Sequence, residues 1–459
     1  MGPSLHDPSP SRPRGLSQPR FRARSERIQA GKALRRRLPR EQQGQGPAPG
    51  EPRDPIALLE ASNQDRLPEL IPIRYGRMLR SPFTFLRGAA ALMAHDLAAM
   101  PTTGVTVQAC GDCHLLNFGL FATPERHLVF DLNDFDETHP APWEWDLKRL
   151  VSSIVVGGRD FELSDDDCRD SVLACSRAYR EHLRAYSRLS LIATAPDERA
   201  KQRRRDLAEK ARSRVIDHLF PRITTSVGGP PRLLDQPPVL FHPAVEDFDQ
   251  LVQEGLEDYR LTLSEERRVL FDRYRFEDAA LKVVGIRSVG TRCLIGLFFS
   301  EDNHPLILQF KEARRSVLEP FSTASAYDNQ GQRVVMGQRL MQSSSDIFLG
   351  WVRGRGGRDF YVRQLRDMKI SVPIEGCTGG QLRRYAEFCG WSLARAHAKS
   401  GDGTTISGYL GKGEAFDQAM VQFALAYADQ TAWDHAALVE AVRCGRVEAL
   451  VEEEFSCLG

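Results

Sequence analysis

No apolar run in the 459 residues approaches the roughly twenty that a membrane-crossing helix needs, so a helical membrane protein is not expected. Charge of one sign is lacking as well. The chain carries 62 Lys and Arg against 61 Asp and Glu, a net of +1 at pH 7, which leaves no field to draw it broadly onto nucleic acid or lipid. Nine cysteines are scattered without framework spacing, which excludes a disulfide scaffold and fits a reducing cytoplasm. The opening MGPSLHDPSPSRPRG has no apolar core of an export signal, and internal repeats are missing. What remains, 41% hydrophobic and 27% charged, is the composition of a soluble globular protein. The length provides room for two lobes or two to three domains.

The richest stretch is Cys110 to Leu150, CGDCHLLNFGLFATPERHLVFDLNDFDETHPAPWEWDLKRL, with eight carboxylates in forty-one residues. Asp112, His114 and Asn117 share a tight loop. The run His127-Leu-Val-Phe-Asp131 reads as a strand that delivers Asn133, Asp134 and Asp136 at its end. Strand ends are rigid and the loops between them carry chemistry. Acids embedded among Val, Phe and Leu are not those of a solvated turn. Oxygen donors in this pattern suit Mg²⁺ with phosphate. Cys110-Gly-Asp-Cys113-His114 also matches the C-x-x-C-H of haem attachment, but no export signal accompanies it. A zinc site from the same cysteines lacks a second Cys pair.

Residues 1–53 hold many Pro, Gly, Ser and Gln and read as a disordered basic arm. Its Arg35-Arg36-Arg37 run is a candidate for weak contact with RNA or an acidic partner. Residues 54–275 read as a helical region around the loop 105–150. Asp54-Pro55 caps a helix, Ser81-Pro82 opens one through Leu97, and helices are expected over Asp165–Tyr186 and Glu198–His218. Arg74, Arg77, Arg80 and Arg87 are candidates to face phosphate or to pair at the surface. Gly228-Gly-Pro-Pro-Arg232 marks a loop.

Residues 276–370 change texture. Leu281 to Phe299 reads as strand, glycine turn and strand, and Leu306 to Lys311 as a further strand. Gly285, Ser288, Gly290 and Thr291 form a turn whose N–H groups can approach phosphate, and Lys311 can neutralise it. A plain hairpin explains the glycines equally well, and Thr291 stands where a P-loop needs Lys. A helix near Gln330–Gln342, strands near 346–352 and 359–365, and a helix from Gln381 to Lys399 follow. Residues 371–459 are expected to complete the helical part.

Gly111-Asp112-Cys113-His114-Leu115-Leu116-Asn117, then Asn133-Asp134-Phe135-Asp136, then Asp146-Leu147-Lys148 resemble the catalytic segment of aminoglycoside phosphotransferases and related kinase-like enzymes. The resemblance implies Asp112 as catalytic base beside His114, Asn117 and Asp134 as Mg²⁺ ligands, and Asp146 as a brace of the loop. Asp136 and Asp131 are substitutes for Asp134, and Arg87 is a supporting residue. Gly285 to Lys311 resembles the glycine loop and strand lysine of a kinase N-lobe. The catalytic-like segment precedes that N-lobe-like part, so the expected fold is α+β, kinase-like and two-lobed, and circularly permuted. SPFTFLRG, CGDCHLLNFG, FDLNDFDETHPAPWEWDLKRL, SVGTR and LQFKEA also resemble the bacterial domain of unknown function 2252. Two departures from the kinase pattern stand out. The helix after Lys311 offers Gln332, Gln338 and Gln342 but no acid for the lysine, with Glu312 and Glu319 nearest, and no Lys or Arg lies between Asp112 and Asn117. The expected activity is ATP- and Mg²⁺-dependent phosphoryl transfer to a small-molecule or protein hydroxyl in the cytoplasm. Nucleotidyl transfer, a non-catalytic nucleotide sensor and a metal- or haem-carrying electron protein are the alternatives.

Overall fold

The computed structural model describes residues 22–47, 53–188, 220–221, 223–225, 230–237, 239–244, 248–282, 289–365, 370–371 and 374–451. Gly285, Ser288, the expected helix over 198–218 and the first twenty-one residues of the basic arm lie outside them. In chain order, helices α1 (Arg24–Arg37), α2 (Pro55–Ser62), α3 (Ile71–Met78), α4 (Pro82–Gly88) and α5 (Ala90–Ala98) come first. Strands β1 (Thr106–Ala109), β2 (Phe118–Ala122), β3 (Leu128–Leu132) and β4 (His139–Pro142) follow, then α6 (Trp143–Asp160) and α7 (Asp165–Tyr186). Short strands β5 (Thr224–Thr225), β6 (Arg232–Leu233) and β7 (Leu240–Phe241) lead to α8 (Phe248–Leu261) and α9 (Glu265–Phe271). Next are β8 (Tyr274–Lys282), β9 (Cys293–Ser300), β10 (Pro305–Glu312), α10 (Gln330–Met341), β11 (Gly350–Arg353), β12 (Asp359–Gln364) and β13 (Ile370–Ser371). Helices α11 (Gly379–Ser400), α12 (Gly403–Leu410) and α13 (Ala415–Arg443) close the chain. The fold is α+β.

Local chemistry explains most boundaries. The Asp54 side chain accepts from the N–H groups of Ile56 (2.9 Å) and Ala57 (3.1 Å), with Pro55 at the first helical position, so α2 starts where a capped helix should. The expected helix from Ser81 through Leu97 is broken in two at Gly88–Ala89. Buried Arg74 donates Nη2 to the Gly88 carbonyl at 2.6 Å, drawing that oxygen out of the helical ladder. Arg74 is thereby structural rather than a phosphate contact, with Nη1 on Asn63 Oδ1 at 2.7 Å. Burial lowers its pKa to about 10.

The basic arm departs from expectation over residues 24–44. Here α1 packs along α12, and the Gly31 backbone lies so close to Thr405 that a Cβ would sit 2.0 Å from its carbonyl oxygen. Arg35 donates to the Tyr409 and Gly408 carbonyls (2.8 and 2.5 Å), Arg40 to Leu410 O (3.0 Å), and Arg37 to Thr103 O. The last carbonyls of α12 have no partner within that helix, and cations at a helix C-terminus supply one. Arg35 and Arg37 therefore each hold a backbone carbonyl of the fold, while Arg36 between them is exposed.

The larger sheet has the order β11-β12-β10-β9-β8-β7 with antiparallel neighbours. Alternation along β10 and β12 sends Phe310 and Val362 to a core under α8 and α9 with Tyr259 and Phe271. The same alternation sends Gln309, Lys311, Tyr361 and Arg363 to the opposite face. Helix α11 lies along α7, and α13 runs against α6 and α7, so the two ends of the chain share one apolar core. The small sheet β13-β2-β3 and the pair β1-β4 sit at its edge.

Candidate functional site

The loop 110–117 is held from below by the first turn of α6. Asp146 accepts from the N–H groups of Cys110 (Oδ2, 2.7 Å) and Gly111 (Oδ1, 2.9 Å). Gly111 takes φ +83°, and a Cβ there would lie 2.3 Å from the Glu137 carbonyl oxygen, so the turn admits only glycine. From α11, His397 brings Nε2 to 3.2 Å of Asp146 Oδ2, while its Nδ1 lies 2.8 Å from the Tyr179 hydroxyl. Burial pushes the Tyr179 hydroxyl well above its usual pKa, which keeps it a proton donor. Cys110 and Cys113 converge on the same carboxylate. Burial raises the Cys110 thiol to about 11 and Cys113 well above the usual value, so neither is a ready thiolate.

Asp112 is buried and bound by Arg149, whose Nε donates to Oδ1 at 2.6 Å. Arg149 also donates Nη2 to the Leu86 carbonyl at 2.8 Å, which ties α4 to the loop. His114 Nε2 is 3.7 Å from Asp112 Oδ2, beyond hydrogen-bond distance. Asn117 turns its Nδ2 to the Asp112 carbonyl. Its side-chain oxygen therefore faces away from the loop. The Asn133 N–H donates to Asn117 O at 2.8 Å, extending the β2–β3 ladder by one pair and bringing Asn117 and Asp134 to the same end. The Asp136 N–H donates to Asp134 Oδ1 at 3.3 Å in a tight turn.

Asp136 meets Lys311. The Lys311 ammonium bonds Asp136 Oδ2, and the Tyr361 hydroxyl donates to Oδ1 at 2.6 Å. Burial and the nearby Asp136 charge push the Tyr361 pKa up, so this donor keeps its proton. Asp136 is thus an acid partner of Lys311, although 175 residues separate them. Arg363 sets Nε on Gln309 Oε1 at 3.1 Å, and Asp134 and Asp136 add to the charge that favours its cationic form. From α10, buried Arg333 donates to the carbonyls of Thr138 (2.5 Å) and Asp136 (2.8 Å), fastening the acidic turn to the sheet.

Other expected residues stand elsewhere. Asp131 is fully buried and accepts from Leu132 N, Ser343 N, Ser343 Oγ and Ser392 Oγ between 2.8 and 3.0 Å, with Arg395 at 2.6 Å. It holds α11 to β3 and is not a substitute metal ligand. Glu312 points away from Lys311 and binds Arg358 at 2.8 Å, as alternation on a strand requires, and Glu319 pairs with Arg315 at 3.2 Å. Gly290 takes φ +85°, and its carbonyl accepts from the Leu67 N–H at 2.8 Å, so this end of the turn is tied to the chain before α3. Thr291 follows it, partly exposed. A groove of about 360 Å³ lined by Asp258, Tyr327, Asn329, Trp351 and Arg353 contains none of these side chains.

Sequence reasoning missed Arg149, Tyr361 and Arg333. One signal was present for Arg149, which follows Asp146 by three residues and so shares its helix face. Tyr361 and Arg333 carried none.

The family model described as "Uncharacterized protein conserved in bacteria (DUF2252)" matches residues 66–441. No curated protein and no solved structure matches the chain. Among the described residues no helix is long and apolar enough to cross a membrane.

Proposed function

The chain belongs to the DUF2252 family, and for this member of it we propose ATP- and Mg²⁺-dependent phosphoryl transfer to a hydroxyl on a circularly permuted, two-lobed kinase-like fold. The observation that carries the reading is the ion pair between Lys311, on a strand of the larger sheet, and Asp136, at the end of the acidic turn. This contact joins two segments 175 residues apart, which supports reading them as parts of one site. A strand lysine set against an acidic turn is what a phosphate clamp needs, because phosphoryl transfer depends on positioning and charge neutralisation more than on covalent chemistry.

In this reading Lys311 contacts the nucleotide phosphates, and Asp136 orients it as a helix glutamate does in a kinase. Asn117 Oδ1 and Asp134 would hold Mg²⁺, which offsets phosphate charge. Both fit an oxygen-seeking cation, since the Asn117 amide nitrogen is turned to the loop and Asp134 is partly exposed. The acceptor oxygen attacks the γ-phosphorus, the bond to the β-phosphate oxygen breaks, ADP leaves, and Asp112 receives the hydroxyl proton. Asp146 holds the loop on which Asp112 stands.

One observation favours a second reading, a nucleotide sensor without turnover. A carboxylate already paired with Arg149 is a weaker base. Thermal-shift titration with Mg²⁺ and ATP tests both. At a hundred times the dissociation constant the expected stabilisation is about 2.7 kcal/mol, lost in Asp134→Ala and Lys311→Ala. ATP turnover abolished by Asp112→Asn with binding kept selects the enzyme, whereas binding without turnover in the wild type selects the sensor. A folded wild type that no nucleotide stabilises rejects both.

A further inference from the structure

The loop between Asp112 and Asn117 contains no Lys or Arg, yet a transferring phosphoryl group carries charge that a nearby cation must offset. Arg149, which reaches Asp112, is already committed. Its Nε lies on Asp112 Oδ1, Nη1 on Met93 Sδ at 3.5 Å, and Nη2 on Leu86 O. Arg363 is engaged with Gln309 and the Asn133 carbonyl (3.1 and 3.5 Å). Arg74 and Arg333 point their donors at carbonyls and amides of the framework.

Arg87 differs from all four. It lies in the last turn of α4, between two carbonyls that are pinned: Leu86 O takes Arg149, and Gly88 O takes Arg74. The backbone on both sides of Arg87 is therefore fixed against the loop that carries Asp112. The charges that favour its cationic form are Asp112, Glu375 and Asp134, while burial works against it and wins. Even so, Arg87 Nε is buried without a hydrogen-bond partner. Among the described residues the guanidinium enters no ion pair or hydrogen bond. Arg87 thus stands in the field of Asp112 and Asp134 and is bonded to neither. Arginine presents a planar fork of donors that matches phosphate oxygens.

We propose that Arg87, delivered by α4, binds the terminal phosphate of the nucleotide and stands in for the cation missing between Asp112 and Asn117. The assignment rests on the phosphotransfer reading and deepens it. It names the terminal phosphate as the group met at the Asp112–Asp134 end of the site, while Lys311 serves the phosphates at the Asp136 end.

The test uses the full chain with Mg²⁺ and either ADP or an ATP analogue with an imido link to the terminal phosphate. The wild type is expected to bind the imido analogue more tightly than ADP. Arg87→Gln should lose about tenfold for the analogue, the scale of one charge-assisted phosphate contact, and keep its ADP affinity within about twofold. Arg87→Lys should recover part of the difference, which guards against a Gln variant that folds poorly. A merely structural arginine would shift both nucleotides together, so an unchanged analogue-to-ADP ratio in Arg87→Gln overturns this assignment and leaves the phosphotransfer reading standing. If neither nucleotide stabilises the wild type, both fall.

Discussion

Asp131 and Asp134 stand three residues apart at the end of one strand, and the fold uses them in opposite ways. Asp131 is buried completely, with both oxygens taken by backbone and serine donors and an ion pair to Arg395. Asp146 belongs with it, gripping two loop N–H groups and His397. Asp134 and Asp136, in contrast, stay partly exposed and face Lys311, Arg363 and Arg87. A carboxylate surrounded by fixed donors holds structure, because its desolvation is already offset. One left near water among cations can still exchange its partners for a ligand. The acids of one short stretch thus divide into framework and chemistry by burial, not by spacing.

The comparison breaks most severely at the framework end. Asp146→Ala should cost about 3–5 kcal/mol, the scale for removing one partner of a buried charged network. Urea unfolding measures this, and a midpoint near that of the wild type would show that the loop does not depend on Asp146. A cation of the same helix sharpens the contrast. Lys148 is buried, with its ammonium 4.6 Å from the Phe423 ring centre, and burial lowers its pKa to about 8 despite Glu144. Between that value and the ordinary one near 10.4 the unfolded chain binds the proton that the folded chain lacks. Stability should therefore rise with pH across this window, by up to about 3 kcal/mol from this group. Lys148→Met should flatten that alkaline rise in unfolding curves.

At the chemical end, stability matters less and ligand response more. Asp136→Asn leaves Lys311 without its carboxylate and should lower stability by about 1–3 kcal/mol, while removing most of the stabilisation by Mg²⁺ and ATP. Asp134→Ala should change stability by no more than about 0.5 kcal/mol in the absence of ligand, as for partly exposed side chains generally, and should remove the Mg²⁺-dependent part of the thermal shift. If Asp134→Ala proved as destabilising as Asp146→Ala, the division between the two sets of acids would fail.

Much of the architecture was legible because its causes are local. The Asp54-Pro55 cap, helix α7 over Asp165–Tyr186, the strand ending in Lys311 and helix α10 near Gln330–Gln342 each follow from propensity, periodicity and capping within a few residues. The Gly111–Asn117 loop and the acidic turn were visible as motifs, and both lie at strand ends. The basic arm misled for a physical reason. Composition describes how poorly a segment orders itself, whereas α1 is ordered by the C-terminal carbonyls of α12, nearly four hundred residues away. The break between α4 and α5 likewise depends on Arg74, which is placed by tertiary packing.

By itself, then, the amino-acid sequence determined the mixed helix-and-strand character, the positions of most elements and the residue types gathered in the acidic stretch, since these depend on contacts between near neighbours. Only the tertiary structure decided which acids are framework, that Asp136 and not a helix glutamate meets Lys311, that Arg149 holds Asp112, and that Arg87 Nε is buried without a partner among the described residues. Those outcomes depend on where chain segments far apart in sequence come to rest. Burial then sets the protonation and partners of each charge, and spacing along the chain carries no record of it.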